Sequence, residues 1–334
     1  MTGELARIPL RTGRLRIDPR FAPLAVTISL FITMAVAGSV LYDGFLAPQV
    51  FLNLLIDNAF LCIVAVGMTF VILTGGIDLS VGAVVALTTM ISAQLVERNG
   101  VSPWLVFPLV LVIGAVFGAG QGYLVQRFKL QPFIVTLAGM FLARGLCYVI
   151  STESIPITHP VYNAIAQERV PLGFHTSLSV GAIIAILIVL AGMWVAHRTQ
   201  FGRTVYAIGG SESSARLMGL PVDATVVRVY MLSGFCAALG GVAVTFYMQS
   251  GYSLHAVGLE LDAIAAVVIG GTLLRGGVGY VVGTLFGVLI LGTIQTLITF
   301  QGTLSSWWTR IAVGALLFAF CLLQRLFEAR GRAH

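Results

Sequence analysis

The residues that could do chemistry are few, and they stand in apolar surroundings. Asp57 and Asn58 fall within the run Val50 to Leu73, and Asp78 falls in the glycine-rich string TGGIDLSVG. Arg144 lies well inside the run Phe133 to Ile150, while Glu260 and Asp262 open the run Ala256 to Leu274. An ionisable group in hydrocarbon is expensive, so each of these needs a function or a partner. Two chemistries suit them. A carboxylate that gains and loses a proton can drive a carrier, and carboxylates flanked by amides and hydroxyls can hydrogen-bond a hydroxyl-rich solute. Thr69, Ser80, Gln121, Gln295 and Thr299 supply the neutral groups in otherwise aliphatic stretches. Interhelical hydrogen bonding would use the same side chains. The candidates for lining a path are Asp57, Asn58, Thr69, Asp78, Ser80, Asp262 and Gln295. The structural alternative for Arg144 is an ion pair with one of the carboxylates, and Asp57 and Asp262 could equally clasp helices.

Enzymatic chemistry has little to stand on. HExxH, GxSxG and DxDxDG are absent, and His159, His175, His197, His255 and His334 are scattered without metal spacing, so no catalytic residue and no metal ligand is assigned. The chain has no GxxxxGK[ST] and its only lysine is Lys129, so ATP cannot be held here by a P-loop. Cys62, Cys147, Cys236 and Cys321 all fall in apolar runs and read as small packing residues.

The elements that must position these groups follow from composition. Of 334 residues, 58% are hydrophobic and only 10% charged, against about 25% charged in soluble domains. A water-soluble fold is excluded, and the expected class is an all-α, polytopic integral membrane protein. Ten spans of about 20 residues would need roughly 200 residues. The segments are Phe21 to Leu41, Val50 to Leu73, Leu79 to Val96, Trp104 to Val125, Phe133 to Ile150, Leu178 to Ala196, Ala224 to Tyr247, Ala256 to Leu274, Tyr280 to Ile298 and Leu304 to Leu323. This divides the chain into a basic segment 1–20, a ten-helix domain 21–325 containing a long inner loop 197–223, and a tail 326–334. The first run exceeds a signal peptide's apolar core and is expected to stay attached as a membrane helix.

Charge sets the orientation. Threading ten spans with the N-terminus inside gathers Arg7, Arg11, Arg14, Arg16 and Arg20, then Arg127 and Lys129, then Arg198, Arg203 and Arg216, then Arg275, Arg325, Arg330 and Arg332 on the cytoplasmic side. Only Arg98 and Arg169 fall in outer loops. This asymmetry predicts both termini cytoplasmic and assigns the arginines to topology, with no nucleic acid implied. The outer loop Ser151 to Ser177 holds three prolines and is expected to form an irregular cap or a short interfacial helix.

In the inner loop, Gly209-Gly210 before Ser211 reads as a turn and N-cap, and SESSARLMG as a short helix closed by Gly219 before Pro221. Glu212 and Arg216 share one face of it, and Leu217 and Met218 supply apolar surface that an ordinary connector in water would not need. Elsewhere TGGIDLSVGAV can be laid against IGGTLLRGGVGYVVGTL, a glycine-interrupted pair that points to broken helices and an internal repeat.

Four strings, DNAFLCIVAVGMTFVILTGGIDLSVGAV, QPFIVTLAGMFLARG, HRTQFGRTVYAIGGSESSARLMGL and LELDAIAAVVIGGTLLRGGVGYVVGTLFGVLI, resemble the permease subunits of bacterial ABC sugar importers of the ribose type. Within that family STESIPITHPVY, DAIAAVVIGGTLLRGGVG and GTLSSWWT look closest to galactofuranose importer permeases. The resemblance implies a ten-helix fold related to the membrane domain of the vitamin B12 importer, residence in the bacterial inner membrane, and monosaccharide transport by alternating access. It implies as partners a cytoplasmic ABC ATPase subunit that binds the ATP, a second and paralogous permease, and a periplasmic sugar-binding protein. It makes Gly202 through Gly219 the part that touches the ATPase, with Gly202, Arg203, Ser211, Glu212, Arg216, Leu217 and Gly219 as the coupling residues. A proton-coupled carrier acting alone and a membrane enzyme are the competing classes.

The arginine distribution makes a direct prediction. With the four native cysteines replaced, a cysteine at Thr158 should react with an impermeant maleimide in intact cells and one at Ser213 only after lysis; the opposite pattern would invert the orientation.

Overall fold

The structure is a computed structural model that describes residues 22–173, 176–303, 305 and 307–331. The basic segment 1–20 and its five arginines, His175, Arg332 and His334 lie outside the described residues, as do the side chains of Arg325 and Arg330.

The chain opens with α1 (Ala22–Leu41), then α2 (Pro48–Asp57) and α3 (Ala59–Leu73), which meet at Asn58 in a 60° bend. Next come α4 (Val81–Ala93), continued by a π-turn over Gln94–Arg98, α5 (Pro103–Phe128) and α6 (Pro132–Ile150). A cap follows, made of β1 (Ile155–Pro156), α7 (Pro160–Gln167), β2 (Arg169–Gly173) and β3 (Thr176–Ser179). The second half comprises α8 (Val180–Arg198), α9 (Gln200–Gly210), α10 (Glu212–Leu217), α11 (Val222–Met248), β4 (Ser250–Gly251), α12 (Leu259–Ile269), α13 (Val281–Gln301) and α14 (Trp307–Gly331). Pro48, Pro103, Pro132 and Pro160 each stand in the first helical turn, where the missing N–H costs nothing.

Each of the ten apolar segments contains a helix among the described residues. Among the described residues seven continuous helices are long and apolar enough to cross a bilayer, and the bent pair α2–α3 makes an eighth. The segment Ala256 to Leu274 departs from expectation. Its helix, α12, has 11 residues, or about 16 Å, half the hydrocarbon thickness of about 30 Å. Left-handed backbone at Gly258 before it and at Gly271, Gly276 and Gly277 after it ends the helix on both sides. The last helix runs to Gly331.

At the centre α5 and α11 cross at backbone distance. Gly114, Gly118 and Gly122 recur every fourth residue along α5 and face Gly234, Tyr230 and Val227 of α11. A methyl group on Gly122 would come within 2.8 Å of the Val227 Cα. Lipid offers no hydrophobic drive for helix pairing, so close van der Waals contact of this kind is what holds the pair.

The cap seats on one end of this pair. Tyr162 of α7 is fully buried, its ring 5.4 Å from Phe107 and 5.6 Å from Phe246. The Glu97 carboxylate accepts from the Thr158 N–H (2.5 Å), the Thr158 hydroxyl (2.9 Å) and the His159 N–H (2.8 Å). The expected irregular cap or short helix is thus a helix flanked by two small antiparallel pairs, β1 with β4 and β2 with β3.

Arg144 corrects its expected carboxylate partner. Its Nη1 donates to the carbonyls of Ser253 (2.5 Å) and His255 (2.9 Å), in the irregular stretch that feeds α12. Non-helical backbone at membrane depth must be satisfied by protein, and the guanidinium does so. Arg144→Leu should lower the thermal midpoint of the purified chain by the equivalent of about 3 kcal/mol for two unpaired carbonyls, with Arg144→Lys recovering part of the loss.

Candidate functional site

The two glycine-rich strings fold as helix breaks, and they meet. The chain leaves α3 at Leu73 and α12 at Ile269, and the Gly277 N–H donates to the Leu73 carbonyl at 2.9 Å. A methyl on Gly276 would lie 2.7 Å from the Gly75 nitrogen and 2.8 Å from the Leu73 carbonyl oxygen. The end of α9 joins them, since a methyl on Gly277 would come within 2.9 Å of the Gly209 carbonyl carbon. The inner loop therefore rests on the crossing of both broken spans, a packing open only to glycine.

The helix read from SESSARLMG is α10. Ser211 is its N-cap, accepting from the Ser214 N–H at 3.3 Å, and Gly219 closes it at φ +75° with a bond from its N–H to the Arg216 carbonyl at 2.9 Å. Within it Arg216 pairs with Glu212 (2.8 Å), and this pair is tied to the end of α5 through Lys129 to Glu212 (3.8 Å) and to α11 through Arg216 to Asp223 (2.5 Å), with the Gln126 amide donating to Asp223. The Arg216 guanidinium holds the Glu212 carboxyl below its ordinary range. Ala215 is buried against this base, whereas Leu217 is 89% and Met218 66% exposed at the tip.

The helix α9 was not foreseen. Thr199 caps it, accepting from the Gly202 N–H at 3.1 Å, and Gly202 lies against the carbonyls of Val195 and Ala196 at the end of α8. Arg203 on it is exposed. The readable signal was Phe201, Val205 and Ile208 at helical spacing after a threonine.

The seven path candidates divide. Asn58, Asp262 and Gln295 line a cavity of about 480 Å³ together with Thr299 and Arg310. Asp57, Asn58, Gln295 and Thr299 line a neighbouring one of about 310 Å³, with Asn53 and Thr296. The shared walls make these one polar cleft between the α2–α3 bend and α13. Asn58 sits at the bend, its amide donating to the Leu54 carbonyl at 2.9 Å. Asp262 of α12 and Arg310 of α14 are paired at 3.4 Å, and Tyr247 donates to Asp57 at 3.4 Å. Arg310 is the cleft residue that sequence reasoning missed, although an arginine inside the tenth apolar segment was its signal.

Thr69, Asp78 and Ser80 lie elsewhere, packed in the interior. Thr69 on α3 and Thr284 on α13 share a hydroxyl hydrogen bond of 2.7 Å. Asp78 is fully buried and accepts from the Ser80 N–H (2.9 Å), the Ser80 hydroxyl (2.7 Å) and the Ser233 hydroxyl of α11 (2.7 Å). Ser80 also reaches Gln121 of α5 at 3.1 Å. The first break is thereby tied to the central helix pair.

The chain is thus a multi-span helical protein with a polar cleft, two glycine breaks and a short helix whose apolar tip is exposed. The family described as "branched-chain amino acid transport system / permease component" matches residues 50–321, and the chain belongs to it. Over 306 residues the chain is 53% identical to the inner membrane ABC transporter permease protein YjfF of Escherichia coli (strain K12), covering 92% of each chain. It is 42% identical to the fructose import permease protein FruG of Bifidobacterium longum (strain NCC 2705), covering 95% of this chain and 94% of that one. It is 41% identical to the ribose import permease protein RbsC of Bacillus subtilis (strain 168), covering 93% and 95%. No solved structure matches the chain. The resemblance to ribose-type ABC permeases drawn from the four strings therefore stands, as does an all-α, multi-pass protein of the inner membrane.

Asp78→Asn replaces an acceptor by an amide that confronts the same donors. It should cost about 2 kcal/mol of stability, so that uptake and membrane abundance fall together. Loss of uptake at full abundance would instead put Asp78 on the solute path.

Proposed function

We propose that the chain is the membrane-spanning subunit of an importer that passes a neutral monosaccharide into the cytoplasm, with energy supplied by a separate ATPase seated on α10. The observation that carries this reading is the α10 tip. Leu217 and Met218 are held out by a base of buried Ala215 and linked charges, an arrangement that leaves apolar surface for a protein partner. A carrier working alone would have no need of it. Arg203, Ser211, Gly219 and Gly202 shape and flank the same docking surface.

The polar cleft supports the choice of solute. Its walls present the amides of Asn53, Asn58 and Gln295 and the hydroxyls of Thr296 and Thr299, while Asp262 and Arg310 pair with each other. Such groups suit sugar hydroxyls and leave no free pair of opposite charges to take the two ends of an amino acid. Asp57, Asn58, Asp262 and Gln295 line the path, and Thr69, Asp78 and Ser80 clasp the helices around it. The names of the ribose and fructose import relatives agree with a sugar, and the strings STESIPITHPVY and GTLSSWWT favour galactofuranose. Weak, multiple hydrogen bonds suit passage better than one tight site.

In this reading the cap face is periplasmic and receives a sugar-loaded binding protein, both termini are cytoplasmic, and a paralogous permease completes the pore. Closure of the ATPase pushes α10 and α9, and the shared glycine junction passes the movement to both broken spans.

Reconstitution with the co-purifying ATPase and binding protein tests it. Labelled galactofuranose, ribose, fructose and leucine would be offered in turn, with and without a proton uncoupler. ATP-dependent sugar uptake indifferent to the uncoupler is expected. Leu217→Asp should reduce coupled uptake by about thirtyfold, as loss of a central docking residue does, with the chain still inserted. Leucine uptake alone, uncoupler-sensitive uptake without ATP, or unchanged coupling in Leu217→Asp would overturn the assignment.

A further inference from the structure

Beside α10 a cavity of about 500 Å³ opens between the end of α5 and the start of α11. Arg127, Lys129, Arg216 and Arg228 all reach it, and Asp223 is the acid in its lining. Asp223 is already engaged by Arg216 at 2.5 Å and by the Gln126 amide, and Lys129 comes only to 3.8 Å from Glu212. Arg127 and Arg228 take part in no ion pair among the described residues. The site therefore carries uncompensated positive charge. Its other walls, Tyr123, Ala224 and Val227, are largely apolar.

The cavity continues onto a second feature. Leu105, Leu109, Val112, Val116 and Tyr123 are exposed along α5 at spacings of four, three, four and seven residues, which place them on one face. Arg127 is the next position on that face. From Leu105 to Arg127 the stripe measures about 33 Å, close to the hydrocarbon thickness of about 30 Å. The stripe gives α5 a lipid-facing side along a full span, and its half next to Arg127 can carry the acyl chains of one leaflet's lipid while an anionic headgroup meets the unpaired arginines. A soluble partner fits less well, because Arg228 lies six residues into α11, about 9 Å from the helix start.

We propose that this cavity binds the phosphate headgroup of an anionic phospholipid, with its acyl chains on the α5 stripe. Because Arg216 lines the cavity and also holds α10 through Glu212, the bound lipid braces the coupling helix from the membrane side. The inference requires that α5 and α11 span the bilayer and is independent of which solute is carried.

The test is native mass spectrometry of the full-length chain in mild detergent, titrated with phosphatidylglycerol, phosphatidylcholine or inorganic phosphate. Phosphatidylglycerol should be preferred over phosphatidylcholine, and Arg127→Ser combined with Arg228→Ser should weaken its binding by about thirtyfold, from about fivefold per arginine. Arg127→Lys with Arg228→Lys should keep the preference, and an unchanged thermal midpoint of the serine pair in phosphatidylcholine separates lost lipid from lost fold. Equal lipid binding in the serine pair, or full competition by millimolar inorganic phosphate, would overturn the proposal. So would loss of the preference in the lysine pair at an unchanged midpoint.

Discussion

Hydrocarbon offers no hydrogen bonds, so a membrane helix can stop inside the bilayer only where another part of the protein takes over its freed backbone groups. The interior of this protein is organised by that requirement. Where α3 ends, the Leu73 carbonyl is taken by the Gly277 N–H. Where α12 ends, the Ile269 carbonyl accepts from the Thr27 hydroxyl of α1 at 2.6 Å. Before α12 begins, Arg144 of α6 takes two carbonyls. None of these breaks can exist by itself, and each one ties a distant helix to the centre.

The same places that satisfy the backbone are built with few side chains. Glycine at Gly75, Gly276 and Gly277 adopts positive φ and lets strands of backbone touch, so the junction has few side chains to unlock. The α9 end rests on it, so the helix that precedes α10 touches both breaks. The central α5–α11 pair, by contrast, is locked by a glycine every fourth residue of α5, and it carries the cap at one end and α10 at the other.

The sequence alone determined the membrane class, the ten apolar segments, the two glycine breaks and the α10 helix, since hydropathy, glycine doublets and Ser211 and Gly219 act locally through burial and backbone conformation. It could not determine the length of α12, because four glycines at positive φ end that helix in a hydropathy profile that reads as continuous. Nor could it tell Asp78 from Asp57. Both are acids in apolar runs, and only tertiary structure buries Asp78 under three hydrogen bonds while placing Asp57 in a cleft. Arg310 entered that cleft, and Arg144 found carbonyls in place of a carboxylate, for the same reason: the partner of a charged side chain in a membrane is chosen by which helix packs beside it, and that contact is made between residues far apart in the chain.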